Sequence, residues 1–433
     1  MKSSIIPLQH NAKLYVCTNK QVKGIFVDIN FNAGSINDPK GKQGLAHFCE
    51  HAICSFPTKR FATRLEKRKY KSSHFNSNAY TSCFNMNFNL QATRDNFEEY
   101  FEYICHNFDQ LIVTKEEVEQ EKNIVGTEIK RRVKTNSLQS IIIRDTKVFD
   151  CKQLKNYSGL ADGLYEDVMT IIPKDVEGFI KTYITKQNLS SIVITGNITA
   201  RETKRLVYKH LYPHLNDGEK IGLKDDIFSK FSKSQVIYEK SIEKENAITD
   251  IYFPKSSSNQ KPSLKFLHEN LIAHSYMSNK VLNIIREEYG LSYFSGMGFM
   301  FNLQGLSCYT LNIECLEKNL EKVISTLPDC IHRIKSEFSK EEFELYKNRR
   351  LLMLNNDVVP MRNLKRTLPE TDELFGMTYN QKYLQNVWNA TKNAKYEDVK
   401  KIVDHFSDEK PIVVIISDQK PQFDLKNFIK QIK

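Results

Sequence analysis

Two histidines four positions apart, His47 and His51, with Glu50 between them, are the residues of this sequence whose types and spacing point most directly to chemistry. On a helix, positions i and i+4 lie on one face, so two imidazoles can converge on a single metal ion. Glu50 stands one turn from His47, within reach of a water held at such an ion. The order H-x-x-E-H is the inverse of the better-known H-E-x-x-H arrangement, and both serve metal-assisted hydrolysis. A catalytic zinc takes three protein ligands and keeps a fourth position open, so this helix lacks one ligand. A carboxylate or a histidine from elsewhere must supply it. At this chain's own histidine and glutamate frequencies the pattern arises by accident in roughly one chain in fifty. The plainer reading is a pair of hydrogen-bonded, partly buried helix histidines.

The elements that must position these residues follow from pattern. Lys13–Cys17 and Ile25–Phe31 read as strands, the second ending at Ala33-Gly34-Ser35. After the turn-forming Asn37-Asp38-Pro39-Lys40-Gly41, the run Gly44–Ile53 reads as a buried helix. Cys49 is turned off the histidine face at about 100° per residue and belongs to the core. Residues 78–90 read as one half-buried strand, with Tyr80, Phe84, Met86 and Phe88 on one face. A long helix starts at Thr114, with Glu117 as its capping-box partner, and runs to Arg132. Glu121 and Glu128 lie seven apart on it, two turns, and share a face. Alone they would be solvated charges; beside an incomplete metal site they are candidates for the missing ligand.

A helix over 175–183 and a strand over 190–195 complete the first unit. The stretch 210–240, with Pro213, Gly218, Gly222 and many charges, reads as a connection. The second half has an extended segment at 248–253, helices near 264–287 and 316–337, and a late strand at Ile412–Ile416. The halves have the sense of diverged copies, without a direct sequence repeat. The expected fold class is α+β: two similar domains, 1–215 and 241–433, joined by a linker at 216–240. Each would be a mainly antiparallel mixed sheet with helices packed on one face.

A length of 433 residues suits two such domains, and 40% hydrophobic content is ample for a core, so disorder is not the default reading. No run approaches the roughly 18 uncharged apolar residues of a membrane span. The first ten residues hold no apolar core of a signal peptide. Nine cysteines without a CxxC pair fit reduced thiols in a cytoplasmic protein. The formal charge of +11 admits nucleic acid, an anionic surface or an acidic peptide as partner. Its densest cluster, Lys59 to Lys71, has no aromatic ladder beside it and reads as a solvated helix face.

With Ala33-Gly34-Ser35 followed by Gly44-Leu45-Ala46-His47-Phe48-Cys49-Glu50-His51, the sequence resembles the pitrilysin, insulin-degrading enzyme and mitochondrial processing peptidase family of zinc peptidases. In that family the third ligand is a Glu some 76–77 residues beyond the second His, with another Glu seven residues before it. Here Glu128 lies 77 residues beyond His51. The resemblance therefore implies zinc on His47, His51 and Glu128, with Glu50 as general base and Glu121 in a supporting role. Ser77-Asn78-Ala79-Tyr80-Thr81-Ser82 is similar to the family's edge strand, which implies that Asn78 and Ala79 pair with an extended peptide. Arg286–Tyr293 resembles the segment whose Arg and Tyr approach the substrate carbonyls. Read without the family, Arg286 is a charge at a helix C-terminus and Tyr293 a core aromatic. Two positions depart from the pattern: no glycines precede the Asn-Ala strand near Ser73 and His74, and Pro57-Thr58 replaces a Gly-Thr pair. These bear on the shape of the cleft and leave the ligands untouched.

The resemblance implies peptide hydrolysis in which Glu50 moves the proton and zinc, with Arg286 and Tyr293, stabilises the oxyanion. It also implies a clamshell of four similar domains, of which this chain would be half. A homodimer, or a heterodimer with a related chain, would complete it around peptides or unfolded segments. A non-catalytic peptide-binding subunit is the competing reading, and a nucleic-acid-binding protein a third, carried by charge alone.

Overall fold

The computed structural model describes residues 2–132, 134–150, 160–220, 230–255, 261–301, 306–356 and 363–432. The chain divides into two units. In the first, strands β1 (Lys2–Pro7), β2 (Lys13–Thr18), β3 (Gly24–Phe31), β4 (Asn76–Thr81), β5 (Met86–Thr93) and β6 (Leu189–Gly196) form a sheet ordered β1-β2-β6-β3-β5-β4. Only β2 and β6 run parallel among these neighbours. In the second, β7 (Val236–Lys240), β8 (Asn246–Lys255), β9 (Ser292–Phe301), β10 (Ser307–Leu316) and β11 (Ile412–Ser417) are ordered β7-β11-β8-β10-β9, with β7 and β11 parallel. Laid on one another, β2-β6-β3-β5-β4 and β7-β11-β8-β10-β9 have the same order and the same directions. The correspondence reaches single residues. Asp28 of β3 pairs with Val193 and Asn89, and Asp250 of β8 with Val414 and Asn312.

Alternation along the strands separates two faces in each sheet. Leu14, Val16, Val27, Ile29, Ile192 and Ile194 point into the main core of the first unit, under α1 (Leu45–Ser55) and α3 (Phe97–His106). The opposite face carries Tyr15 and Asp28. It is covered by the helix Leu364–Phe375, whose Asp372 accepts a hydrogen bond from Tyr15 at 2.8 Å and whose Lys365 lies 3.5 Å from Asp28. In the second unit the same position is taken by α5 (Asn136–Ile143). There Ser140 donates to the buried Asp250, and Ile143 packs with Ile248, Tyr252 and Val414. Each sheet thus receives one helix from the other half of the sequence: Asn136–Ile143 belongs to the second unit and Leu364–Phe375 to the first. A linear division at 216–240 contains no such exchange. Of that stretch, 221–229 lie outside the described residues, and Val236–Lys240 is a strand because β11 offers it a parallel partner.

Residues 78–90, expected as one strand, form a hairpin instead. Ser82 makes the turn: its hydroxyl accepts from the amides of Phe84 (3.3 Å) and Asn85 (3.0 Å), which a continuing strand would leave unpaired. The period-2 pattern runs through the turn, which hid it. The turn leaves β4 at the open edge of the sheet.

Helix α1 begins where Gly44, at φ 102°, turns the chain, and Asp38 caps it by accepting from the amides of Gly44 and Ala46, each at 2.7 Å. Gly163 backs this start at φ 81°. A Cβ there would fall 2.2 Å from the Gln43 carbonyl oxygen and 2.3 Å from Gly44 Cα, both backbone atoms that cannot swing aside. Gly163→Ala is therefore expected to cost about 3 kcal/mol, lowering Tm by roughly 6–12 °C in a thermal melt. An unchanged Tm would show that this contact does not seat the helix.

Candidate active site

The apolar side chains of α1, Leu45, Ala46, Phe48, Cys49, Ala52 and Ile53, are buried in the core. That fixes the rotation of the helix and leaves His47 and His51 together on the other side, their rings edge to face with centroids 4.6 Å apart. Helix α4 (Lys115–Arg131), capped by Thr114 accepting from the Glu117 amide at 3.2 Å, brings two carboxylates to them. Glu121 Oε1 lies 2.8 Å from His51 Nδ1, and Glu128 Oε2 lies 3.5 Å from His51 Nε2. One ligand atom from each of His47, His51 and Glu128 falls within 4.8 Å of the other two.

These residues fit a zinc ion on three counts. Two atoms each about 2.0–2.1 Å from a shared ion in tetrahedral geometry stand roughly 3.4 Å apart, close to the His51–Glu128 separation. The Glu121 carboxylate on Nδ1 of His51 fixes the ring and frees Nε2, as an outer partner of a metal ligand does. His47 Nδ1 is buried without a hydrogen-bond partner among the described residues. Burial, with the neighbouring His51, pushes the His47 imidazole down to about 4, so it is neutral and free to ligate. For His51 burial opposes protonation, but the hydrogen bond and charge of Glu121 outweigh it and hold the ring above its ordinary value. Glu121 is likewise held below the usual carboxylate range: burial would raise it, and the His51 and Arg64 hydrogen bonds prevail.

Glu50 is 7% exposed on the same helix, and Thr81 at the end of β4 donates to its Oε2 at 2.8 Å. Burial raises its carboxyl above the ordinary range, Glu128 adding to the effect while Thr81 and His51 moderate it. That is the direction a proton acceptor near neutral pH requires. On β4, Ala79 is buried, and Asn78 is exposed with its amide donating to Asn89 Oδ1 at 3.2 Å. Arg286 and Tyr293 belong to the second unit. Arg286 lies in a wide turn after the helix Leu264–Val281, its guanidinium 5.9 Å from the Tyr293 ring, and Tyr293 on β9 is 82% exposed. A core role for Tyr293 is therefore ruled out.

Sequence reasoning missed Arg64. It belongs to the basic stretch expected as a solvated face, on helix α2 (Arg64–His74). In the structure its guanidinium bonds the carboxylates of Glu117 and Glu121 and the Glu117 carbonyl, and it lies 4.6 Å from the Phe56 ring. Glu117, expected as a capping-box partner, gives its side chain to Arg64 instead. Nothing local signals the pairing, since 57 residues separate Arg64 from Glu121.

Lys67, from the same stretch, is buried and donates to the carbonyls of Ile53 (3.0 Å) and Phe56 (2.9 Å), tying off the end of α1. Burial, with Lys71 and Arg64 nearby, pushes its ammonium down to about 7. The unfolded chain has this group near 10.4. Between those values the unfolded state holds one proton more than the folded state, so stability rises with pH across that window and the burial penalty is complete below it. Relative to Lys67→Met, the wild-type chain is expected to gain about 1 kcal/mol per pH unit from 7.5 to 9.5 in denaturant unfolding. Parallel pH profiles for the two proteins would refute the assignment.

Residues 16–157 match the family Insulinase (Peptidase family M16), and residues 170–350 match Peptidase M16 inactive domain. The chain belongs to peptidase family M16. This M16 chain is 23% identical over 197 residues to Zinc protease PqqE of Helicobacter pylori, covering 45% of the chain and 43% of that protein. In fold it is similar to the periplasmic protease PqqL of Escherichia coli, with a TM-score of 0.79 at 14% identity over the whole chain and 50% of PqqL. It is also similar to a protease structure from Helicobacter pylori, with a TM-score of 0.73 at 17% identity over 97% of this chain and all of that one. The matched stretches span less than half the length of the curated relatives. The α+β class with two M16-like domains stands. No described helix of the M16 chain is long and apolar enough to cross a membrane.

Proposed function

We propose that this M16 chain is a zinc-dependent endopeptidase acting on peptides or unfolded segments, with maturation of a small precursor peptide among its uses. The observation that carries the reading is the convergence of His47, His51 and Glu128 beside Glu50, all next to the open edge of β4. Zinc bound by those three ligands would supply Lewis acidity toward the scissile carbonyl and acidify water. Glu50 takes the proton of the attacking water and delivers it to the leaving amine. Thr81 keeps the Glu50 carboxylate oriented, and Glu121, backed by Arg64, keeps His51 in its ligating tautomer. The main chain at Asn78 and Ala79 pairs with an extended substrate irrespective of its sequence, the Asn78 amide exchanging Asn89 for the peptide. Arg286 and Tyr293 contact substrate carbonyls, and a second copy of the chain, or a related one, completes the chamber.

The deciding experiment is digestion of a random peptide pool by the zinc-loaded chain, read by mass spectrometry with a chelator control. Chelator-sensitive fragments are expected. Zinc bound at one per chain without any fragments would replace the peptidase with a peptide-binding subunit.

A further inference from the structure

Beside the metal residues lies a cavity of about 690 Å³, walled by α2, the end of α1, the start of β4 and the α4 side chains Gln120 and Ile124. Among the described residues, no acidic side chain lines it. Four basic ones do, and they are not equivalent. Arg64 is spent on Glu117 and Glu121, and Lys67 on the carbonyls of Ile53 and Phe56. Arg68 and Lys71 have no ion pair among the described residues, and Arg68 is exposed. Apolar surface sits next to these cations: Leu65 is 60% and Ile124 45% exposed. The cavity is continuous with the catalytic arrangement through shared groups. Arg64 and Ser55, both lining it, bond Glu121, and Ser77, also lining it, is on the strand whose Thr81 bonds Glu50.

We propose that this cavity is a specificity subsite for an acidic side chain of the peptide substrate, its methylenes on Leu65 and Ile124 and its carboxylate on Arg68 and Lys71. The proposal rests on the peptidase reading for its substrate. Thr81 and Ser77 are four positions apart on β4, about 13 Å at roughly 3.3 Å per residue. A peptide lying along β4 therefore places a residue about two to four positions from its scissile bond over the cavity. The charge complement is direct: among the described residues it has two uncommitted cations, no anion, and an apolar shoulder suited to the stem of Glu more than to a short polar side chain.

The test uses peptides of one sequence carrying Glu, Gln or Lys at each position within four residues of the cleaved bond. Cleavage by the zinc-loaded chain is measured as kcat/KM, and binding as Kd for the Glu50→Gln variant by fluorescence anisotropy. At one position Glu is expected to exceed Gln by about tenfold in both measurements, the scale of a charge-assisted hydrogen bond. The Arg68→Glu/Lys71→Glu variant is expected to reverse the order in favour of Lys. Should that variant misfold, Arg68→Gln/Lys71→Gln is expected to abolish the preference. Cleavage with Glu and Gln equal at every position overturns the subsite and leaves the peptidase standing. Tighter binding of Glu peptides without cleavage of any keeps the subsite and overturns the peptidase. Preference unchanged in the folded charge variants overturns the assignment to Arg68 and Lys71.

Discussion

Glu50→Gln is expected to leave zinc binding intact while lowering peptide cleavage by about three orders of magnitude, within the range general acid–base groups contribute. The substitution conserves volume at a position 7% exposed, and the Thr81 hydroxyl 2.8 Å away can turn to meet an amide. None of the three candidate ligands changes, and Glu121 still holds His51. What disappears is the only function an amide cannot perform, acceptance and return of a proton. Metal content by mass spectrometry and kcat on a cleaved peptide read the two properties separately. A variant that keeps zinc and loses less than about tenfold in kcat would remove Glu50 as the base.

How far this was legible in the sequence depended on the distance over which each residue is held. His47, Glu50 and His51 are local: helical periodicity and a buried apolar face decide where they point. Glu121 and Glu128 were legible as a shared face of one helix, but placing that helix against α1 drew on a family resemblance. Arg64 was not legible, because its pairing with Glu117 and Glu121 depends on how α2 and α4 meet, and its neighbours Arg68 and Lys69 are indeed solvated. Lys67 was hidden for the same reason. In the fold, the strands and most helices follow from pattern, whereas the hairpin at Ser82 follows from one hydroxyl satisfying two amides. The exchange of helices between the units left no trace in periodicity. Its signal is chemical: buried Asp28 and Asp250 at matching places in the two sheets, each meeting a partner on the borrowed helix, Lys365 and Ser140. Buried carboxylates require such partners, but which distant residue provides them is settled only by packing.

The two glutamates of α4 are expected to differ sharply when zinc affinity is measured by competition with a chelator, independently of any cleavage. Glu128→Ala removes the third candidate ligand and should weaken zinc by more than about a hundredfold, whereas Glu121→Gln should weaken it by about 10–100-fold, the usual cost of losing an outer partner. The difference follows from what each carboxylate touches. Glu128 is 54% exposed, and its one ion pair among the described residues is to His51 Nε2, a candidate ligand atom. Glu121 is 1% exposed and committed three ways, to His51, Ser55 and Arg64. Glutamine at 121 keeps an oxygen for the Nδ1 proton of His51, so the ring stays oriented. What is lost is the negative charge that makes the imidazole a better donor to zinc and that neutralises Arg64, and Glu117 remains to hold Arg64. Equal losses in the two variants would mean that Glu128 is no ligand and that the third one must be sought elsewhere. The ordering Glu128→Ala below Glu121→Gln is what a site with two ligands on α1 and one on α4 requires.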